Sequence, residues 1–221
     1  IAYNLISAFG SSSLRLAYAL ALSDLILAPA TPSNTARVGG VIMPITTSLA
    51  KAFGSEPQDG PRKIGSFLMQ SIYQVNTITS AMFQTSMAGN TLVAALALQS
   101  FGIGITWGDW AMAAIVPGII ALIIMPYFIY KVYPPEIKDA REAQQMVREE
   151  LKGLGKMSFQ EWIMLGVFIL ALVLWATSQF TKLDATTVAF LGISILLATG
   201  VLIWDDVKSE KGAWDTLVWM G

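Results

Sequence analysis

The sequence predicts an all-α, polytopic membrane protein with a re-entrant helical hairpin and a broken transmembrane helix. Of 221 residues, 54% are hydrophobic and only 13% charged, at a mean hydropathy of +0.58, too apolar for a soluble domain of this size. Residues 111–130 carry no charge, with Trp107 and Trp110 before them and Tyr127, Tyr130 and Tyr133 at the far end, the aromatic belts of a span. The polar tip Pro29-Ala30-Thr31-Pro32-Ser33-Asn34-Thr35-Ala36-Arg37 lies between apolar arms 14–28 and 38–50. Each arm has about 13–15 residues where a span needs ~20.

Residues 1–13 read as the end of a helix and a Ser/Gly turn. Next comes the hairpin, 14–53. Pro29 and Pro32 prevent one continuous helix, and Ser33, Asn34 and Thr35 stand where a second would begin. Unpaired backbone at membrane depth is tolerated only where protein buries it or it lines a wet cavity. A helix N-terminus there favours an anion, and turned-out carbonyls and hydroxyls suit a small cation. Arg37 is open to three readings: an anion partner, a snorkelling cation, or the mate of the costly intramembrane Asp24. Arg15 and Lys51 place both hairpin ends in one compartment, before a surface loop at 54–61.

Residues 63–102 are too long and too polar for a simple span and read as a broken helix, with halves at 64–75 and 91–101. The hydroxyls and amides between them either face a cavity or act as helix-packing glue. A span over 108–130 follows, kinked and not broken by Pro117 and Pro126. Residues 131–158 mix Lys and Arg with acids and read as a solvated helical linker, placed by its basic excess in the cytoplasm or in the equivalent compartment of an organelle. Two further spans are expected at about 162–178 and 185–204. The last stretch, with Trp214, Asp215 and Trp219, reads as an interfacial lead-in, and the chain as a piece of a longer protein.

A formal net charge of −1 gives no sign of nucleic-acid binding. Cysteine and histidine are both absent, which excludes disulfides, thiolate or imidazole metal sites, and His- or Cys-based catalysis within these residues.

Leu14-Arg15-Leu16-Ala17-Tyr18, Leu27-Ala28 running through the tip to Val38-Gly39-Gly40, Ser80-Ala81-Met82-Phe83-Gln84-Thr85, Ala114-Ile115-Val116-Pro117-Gly118, Tyr133-Pro134-Pro135-Glu136 and Ala213-Trp214-Asp215-Thr216-Leu217 stand in this order along the chain. Together they resemble the divalent anion:sodium symporter family. The likeness is to its branch of plastid 2-oxoglutarate/malate translocators and bacterial citrate/succinate or tartrate/succinate antiporters, and it covers essentially the whole chain. The resemblance implies a secondary transporter of two inverted repeats, each giving a hairpin tip and a broken helix to a midplane site. Residues 1–130 would hold most of the first repeat, 131–158 the cytoplasmic linker and 159–221 the start of the second, with the second hairpin beyond Gly221. It further implies substrate-carboxylate contacts at Asn34 and Thr35, with Ser33 and Asn34 helping to hold sodium, the candidate coupling ion. More distant members carry Gly-Thr-Pro-Pro-Asn in the broken helix, which Ser86-Met87-Ala88-Gly89-Asn90 matches only in its last residue. By position, Ser86 would offer a cation carbonyl and Ala88 a substrate wall.

Implied partners are a dicarboxylate (malate, 2-oxoglutarate, succinate, citrate or tartrate), membrane lipids and a second copy in a homodimer. The implied setting is a bacterial inner membrane or a plastid inner envelope. Exchange of one dicarboxylate for another by alternating access is the expected activity. Rival readings are a membrane-embedded enzyme using Asp24 and Ser33, a channel or scaffold subunit, and a related carrier of sodium, protons or an inorganic oxyanion such as arsenite or sulfate.

Overall fold

The computed structural model describes residues 2–31 and 33–211, with Trp214 and Val218, so Asp215, Trp219 and Pro32 of the sequence argument lie outside the described residues. The helices are α1 (Ala2–Phe9), α2 (Ser13–Leu27), α3 (Asn34–Arg37), α4 (Met43–Ala52), α5 (Gly65–Met82), α6 (Ala88–Phe101), α7 (Trp107–Val132), α8 (Arg141–Leu154), α9 (Phe159–Ala176), α10 (Ser178–Thr181), α11 (Ala185–Ala198) and α12 (Trp204–Ser209). They group into two compact units, residues 1–87 with 113–155 and residues 88–112 with 156–221.

In the first unit α2 starts where Ser12 accepts the Arg15 amide at 3.3 Å, and it continues through a 3-10 turn at Ala28–Ala30. Pro29 therefore lies inside the helical run. Ser13–Ala30, at a mean hydropathy of 1.3, is long and apolar enough to cross a membrane. The expectation of an arm too short to span is corrected accordingly: a proline early in a 3-10 turn removes no bond that the turn needs. The return arm is also longer than expected. α3 runs into α4 through a π turn at Val38–Ile42 without a break in helical backbone.

The first arm begins and the return arm ends at one end of the unit. There the Ser13 amide donates to the Lys138 carbonyl (3.0 Å), and the Glu136 and Ile137 amides donate to the carbonyls of Arg62 (3.1 Å) and Lys63 (2.9 Å). Ser55, just after α4, accepts the Gly65 amide at 2.9 Å. Above this base Ile6, Leu16, Leu20, Ile42, Leu49, Phe67, Leu68 and Val147 form one buried cluster, while Ala21, Val75, Met82 and Leu122 form a second.

α8 is not the plain solvated linker expected from its charge. Ala140 and Val147 are buried in the larger cluster, and Gln144 and Arg148 donate to the Ser7 carbonyl at 2.7 and 3.2 Å. One face of the helix is docked on α1, with Arg148 at its edge, and the acids Glu142, Glu149 and Glu150 are exposed.

α7 stays helical through Pro117 and Pro126, as expected. Gly118 lets α5 approach closely: a Cβ there would lie 2.6–2.8 Å from the Met82 side chain, which is buried in the second cluster. Gly118→Val should lower stability by about 1–3 kcal/mol through overpacking. Thermal unfolding in detergent would show this, with Met82→Ala in the same protein returning most of the loss.

The second unit pairs α9 with α11 through buried Val167, Trp175, Val188 and Leu196. The Trp175 indole donates to the Ala185 carbonyl at 3.1 Å and stacks on Trp107 at 6.5 Å. α9 is long and apolar enough to cross a membrane, as is α7. The span expected over 185–204 is shorter than read, because α11 stops at Ala198 and Gly200 turns the chain at a φ of +69°. Its remaining length of about 21 Å falls short of a ~30 Å hydrocarbon core.

Candidate functional site

The site is built where the hairpin tip meets the interruption of α5. Ser33 is extended (φ −120°, ψ 112°), and its hydroxyl accepts the Ala36 amide at 3.2 Å, capping α3. The Asn34 side-chain oxygen accepts the Thr35 amide at 2.9 Å, which leaves its NH2 group uncommitted. Ser33 and Thr35 are exposed and Asn34 is half-buried. The tip thus offers hydroxyls, a carboxamide NH2 and the positive end of a helical run over residues 34–52, a set that suits a carboxylate, while the Thr35 and Ala36 amides are already taken by Asn34 and Ser33.

The interruption of α5 is narrower than the expected 76–90. The helix continues to Met82, Phe83 is extended, a 3-10 turn covers Gln84–Ser86, Met87 is extended, and α6 starts at Ala88. Asn76, Thr79 and Ser80 are consequently helical, spaced i, i+3, i+4 on one face.

That face receives Arg37. Its Nε donates to Asp24 Oδ1 at 2.8 Å, with side-chain exposures of 0% and 1%, so the pair is sealed from solvent. Nη1 donates to the carbonyls of Thr31 (3.1 Å) and Ser86 (3.2 Å), and Nη2 to Asn76 Oδ1 (3.0 Å), Thr79 Oγ1 (3.3 Å) and Ser80 Oγ (3.1 Å). The Thr79 hydroxyl also donates to Asp24 Oδ2, and that of Thr85 to the Pro29 carbonyl. Of the three readings open for Arg37, the structure selects the pair with Asp24. The guanidinium is fully occupied and ties the tip to the interruption.

Of the predicted residues, Ser86 enters this network through its carbonyl, while Ser33, Asn34 and Thr35 bond within the tip, at the start of the short helix that carries Arg37. The Ser86 hydroxyl turns inward to the carbonyls of Ser80 (2.6 Å) and Phe83 (2.7 Å). Its carbonyl, the expected cation ligand, already faces a guanidinium, and a sodium ion there would meet a like charge. The residues fit poorly to a cation at Ser86. Ala88 belongs to the second unit, half-buried at the start of α6. Sequence reasoning missed Asn76, Thr79 and Ser80 as partners of Arg37, although their helical spacing was a usable signal. Thr77, by contrast, bonds back to the Tyr73 carbonyl at 3.0 Å and is ordinary helix structure.

Apolar helices gathered on an internal ion pair, three of them long and apolar enough to cross a membrane, with a polar tip beside an interrupted helix, are the features of a multi-pass membrane protein. A family model described as the sodium:sulfate symporter transmembrane region matches residues 1–221. The chain is 52% identical, over 99% of its length, to a Bacillus subtilis (strain 168) protein provisionally named as a malate transporter, of which it covers 46%. It is 47% identical over 100% of its length to the inner membrane protein YbhI of Escherichia coli (strain K12), again covering 46%. To dicarboxylate transporter 1, chloroplastic, of Spinacia oleracea it is 46% identical over 99% of its length, covering 39%. The chain belongs to the sodium:sulfate symporter family, the divalent anion:sodium symporters, and spans about half or less of the length of these relatives.

Proposed function

We propose that this chain is the hairpin-bearing part of a dicarboxylate exchanger, and that the tip at Ser33, Asn34 and Thr35 receives one substrate carboxylate. The observation that carries this reading is the committed guanidinium of Arg37, which takes the Ser86 carbonyl expected for a coupling cation together with that of Thr31. The pair with Asp24 brings no net charge, so substrate is held by neutral donors and the helix start. These release an anion more readily than a desolvated ion pair would, as a carrier that must unload requires. The names of the relatives support a dicarboxylate substrate of the malate type. The hairpin is read as re-entrant, with its tip at membrane depth and a second tip completing the site under alternating access. Two copies would assemble as a homodimer.

The test is counterflow in liposomes with the full-length protein. Labelled malate should enter only against internal malate, succinate or 2-oxoglutarate, at the same rate with or without sodium. Uptake into empty vesicles driven by a sodium gradient would replace exchange with symport. Transport of sulfate in place of dicarboxylates would favour the inorganic-oxyanion reading that the family description carries.

A further inference from the structure

The outward face of the return arm carries a groove that the tip does not use. A cavity of about 470 Å³ is lined by Gly39, Met43, Pro44, Thr47, Ser48 and Lys51. These positions repeat every four residues, so they lie on one helix face leading from just past the tip to the base. At 1.5 Å per residue the track from Gly39 to Lys51 is about 18 Å long.

Two features set this face apart from one turned to lipid. A helical hydroxyl in an apolar setting normally bonds back to a carbonyl one turn earlier, as Thr46 does to Ile42 (2.8 Å), Ser23 to Ala19 (2.8 Å) and Ser71 to Phe67 (2.7 Å). The Thr47 and Ser48 side chains make no hydrogen bond among the described residues, which leaves both donors to groups outside this chain, water and ligand included. The Lys51 ammonium, at the open end, likewise has no ion pair or hydrogen bond among the described residues. By contrast, Lys63 donates to the Gly54 carbonyl at 2.9 Å and Arg62 lies over the Tyr133 ring at 4.6 Å. Beside the tip, a Cβ on Gly39 would meet nothing within 4 Å, so the track is open where it reaches the site.

We propose that this face is the aqueous approach path of the anion from the side of the membrane on which α8 lies, with Lys51 as its electrostatic collector. The inference rests on the tip being an anion site. An unpaired cation at the mouth raises the local concentration of a dianion without holding it, and the two hydroxyls replace part of its hydration on the way to the helix start.

The experiment uses the full-length protein in vesicles of known orientation. Lys51→Gln should raise the KM for malate on the α8 side about three- to tenfold at low ionic strength, with maximal exchange unchanged and the difference vanishing in high salt. Lys51→Arg should restore it. In a cysteine-free background, Thr47→Cys and Ser48→Cys should react from that side with a membrane-impermeant anionic thiosulfonate. The reaction should outpace that of a cationic analogue in a Lys51-dependent way and be slowed by saturating malate, while Leu49→Cys, on the buried face, stays unreactive. Cysteines at 47 and 48 that water cannot reach, in a protein that still exchanges malate, would overturn the path and leave the tip assignment standing. If wild type carries no dicarboxylate, the reading of the tip fails. The ratio of anionic to cationic labelling then decides the path alone: a ratio that Lys51→Gln lowers supports it, and an unchanged ratio overturns it.

Discussion

Arg37→Met should cost about 3–5 kcal/mol of stability and abolish exchange, because it strands Asp24 as a buried, uncompensated charge. Asp24 is 1% exposed, so the loss is not relieved by solvent. Its remaining donor is the hydroxyl of Thr79. The mutation also frees the carbonyls of Thr31 and Ser86, and with them the link between tip and interruption. Removing both charges behaves differently. Arg37→Met with Asp24→Leu replaces the pair by apolar groups of comparable size, a change that is often close to neutral. The double variant should therefore recover part of the lost stability and none of the transport, since two carbonyls still lack their donor. Thermal unfolding in detergent and malate counterflow, run on both single variants and the double, separate the two effects. A single variant with an unchanged midpoint would mean that the pair is not buried in the folded protein.

That network also shows what the sequence could and could not tell. Asp24 and Arg37 were each conspicuous as charges in an apolar stretch, yet the choice among three fates for Arg37 needed α5. Five of its six partners are oxygens outside Asp24, and four of those lie 39–49 residues away in sequence. Hydroxyl density was read as interrupted backbone from residue 76. In fact Asn76, Thr79 and Ser80 keep the helix intact because a guanidinium satisfies their side chains, and the backbone opens only at Phe83. Turn chemistry set the other limits. Composition through residues 185–204 is apolar enough for a span, but the turn at Thr199 and Gly200 shortens α11. In α8 the charges hid an apolar face, with Val147 and Leu151 one turn apart and Ala140 two turns before. The capped tip and an interruption after Met82 were legible because proline, glycine and capping residues act locally. Their joining was not, because it runs through contacts between distant segments.

Asn34→Ala should separate function from fold in the opposite sense to Arg37→Met. The residue is half-buried, and the hydrogen bond its side chain makes within the tip is to the next amide, so truncation should change stability by less than about 0.5 kcal/mol. The NH2 group that faces outward from that bond is the donor assigned to the substrate carboxylate. A hydrogen bond to a charged group contributes about 1.5–3 kcal/mol, so exchange at low malate concentration should fall about ten- to hundredfold. Asn34→Asp should go further, since it keeps the shape and the acceptor of the Thr35 amide while setting a carboxylate where a dianion must approach. Thr35→Val is the companion case: the residue is exposed and among the described residues its hydroxyl makes one long 3.5 Å contact, to Asn34, so any loss of exchange reports on substrate and not on the tip's own geometry. The readouts are malate counterflow across a concentration series and the unfolding midpoint of the same preparations. An Asn34→Ala protein that exchanges malate at the wild-type rate would remove the tip from the site, and with it the reading on which the approach path along α4 rests.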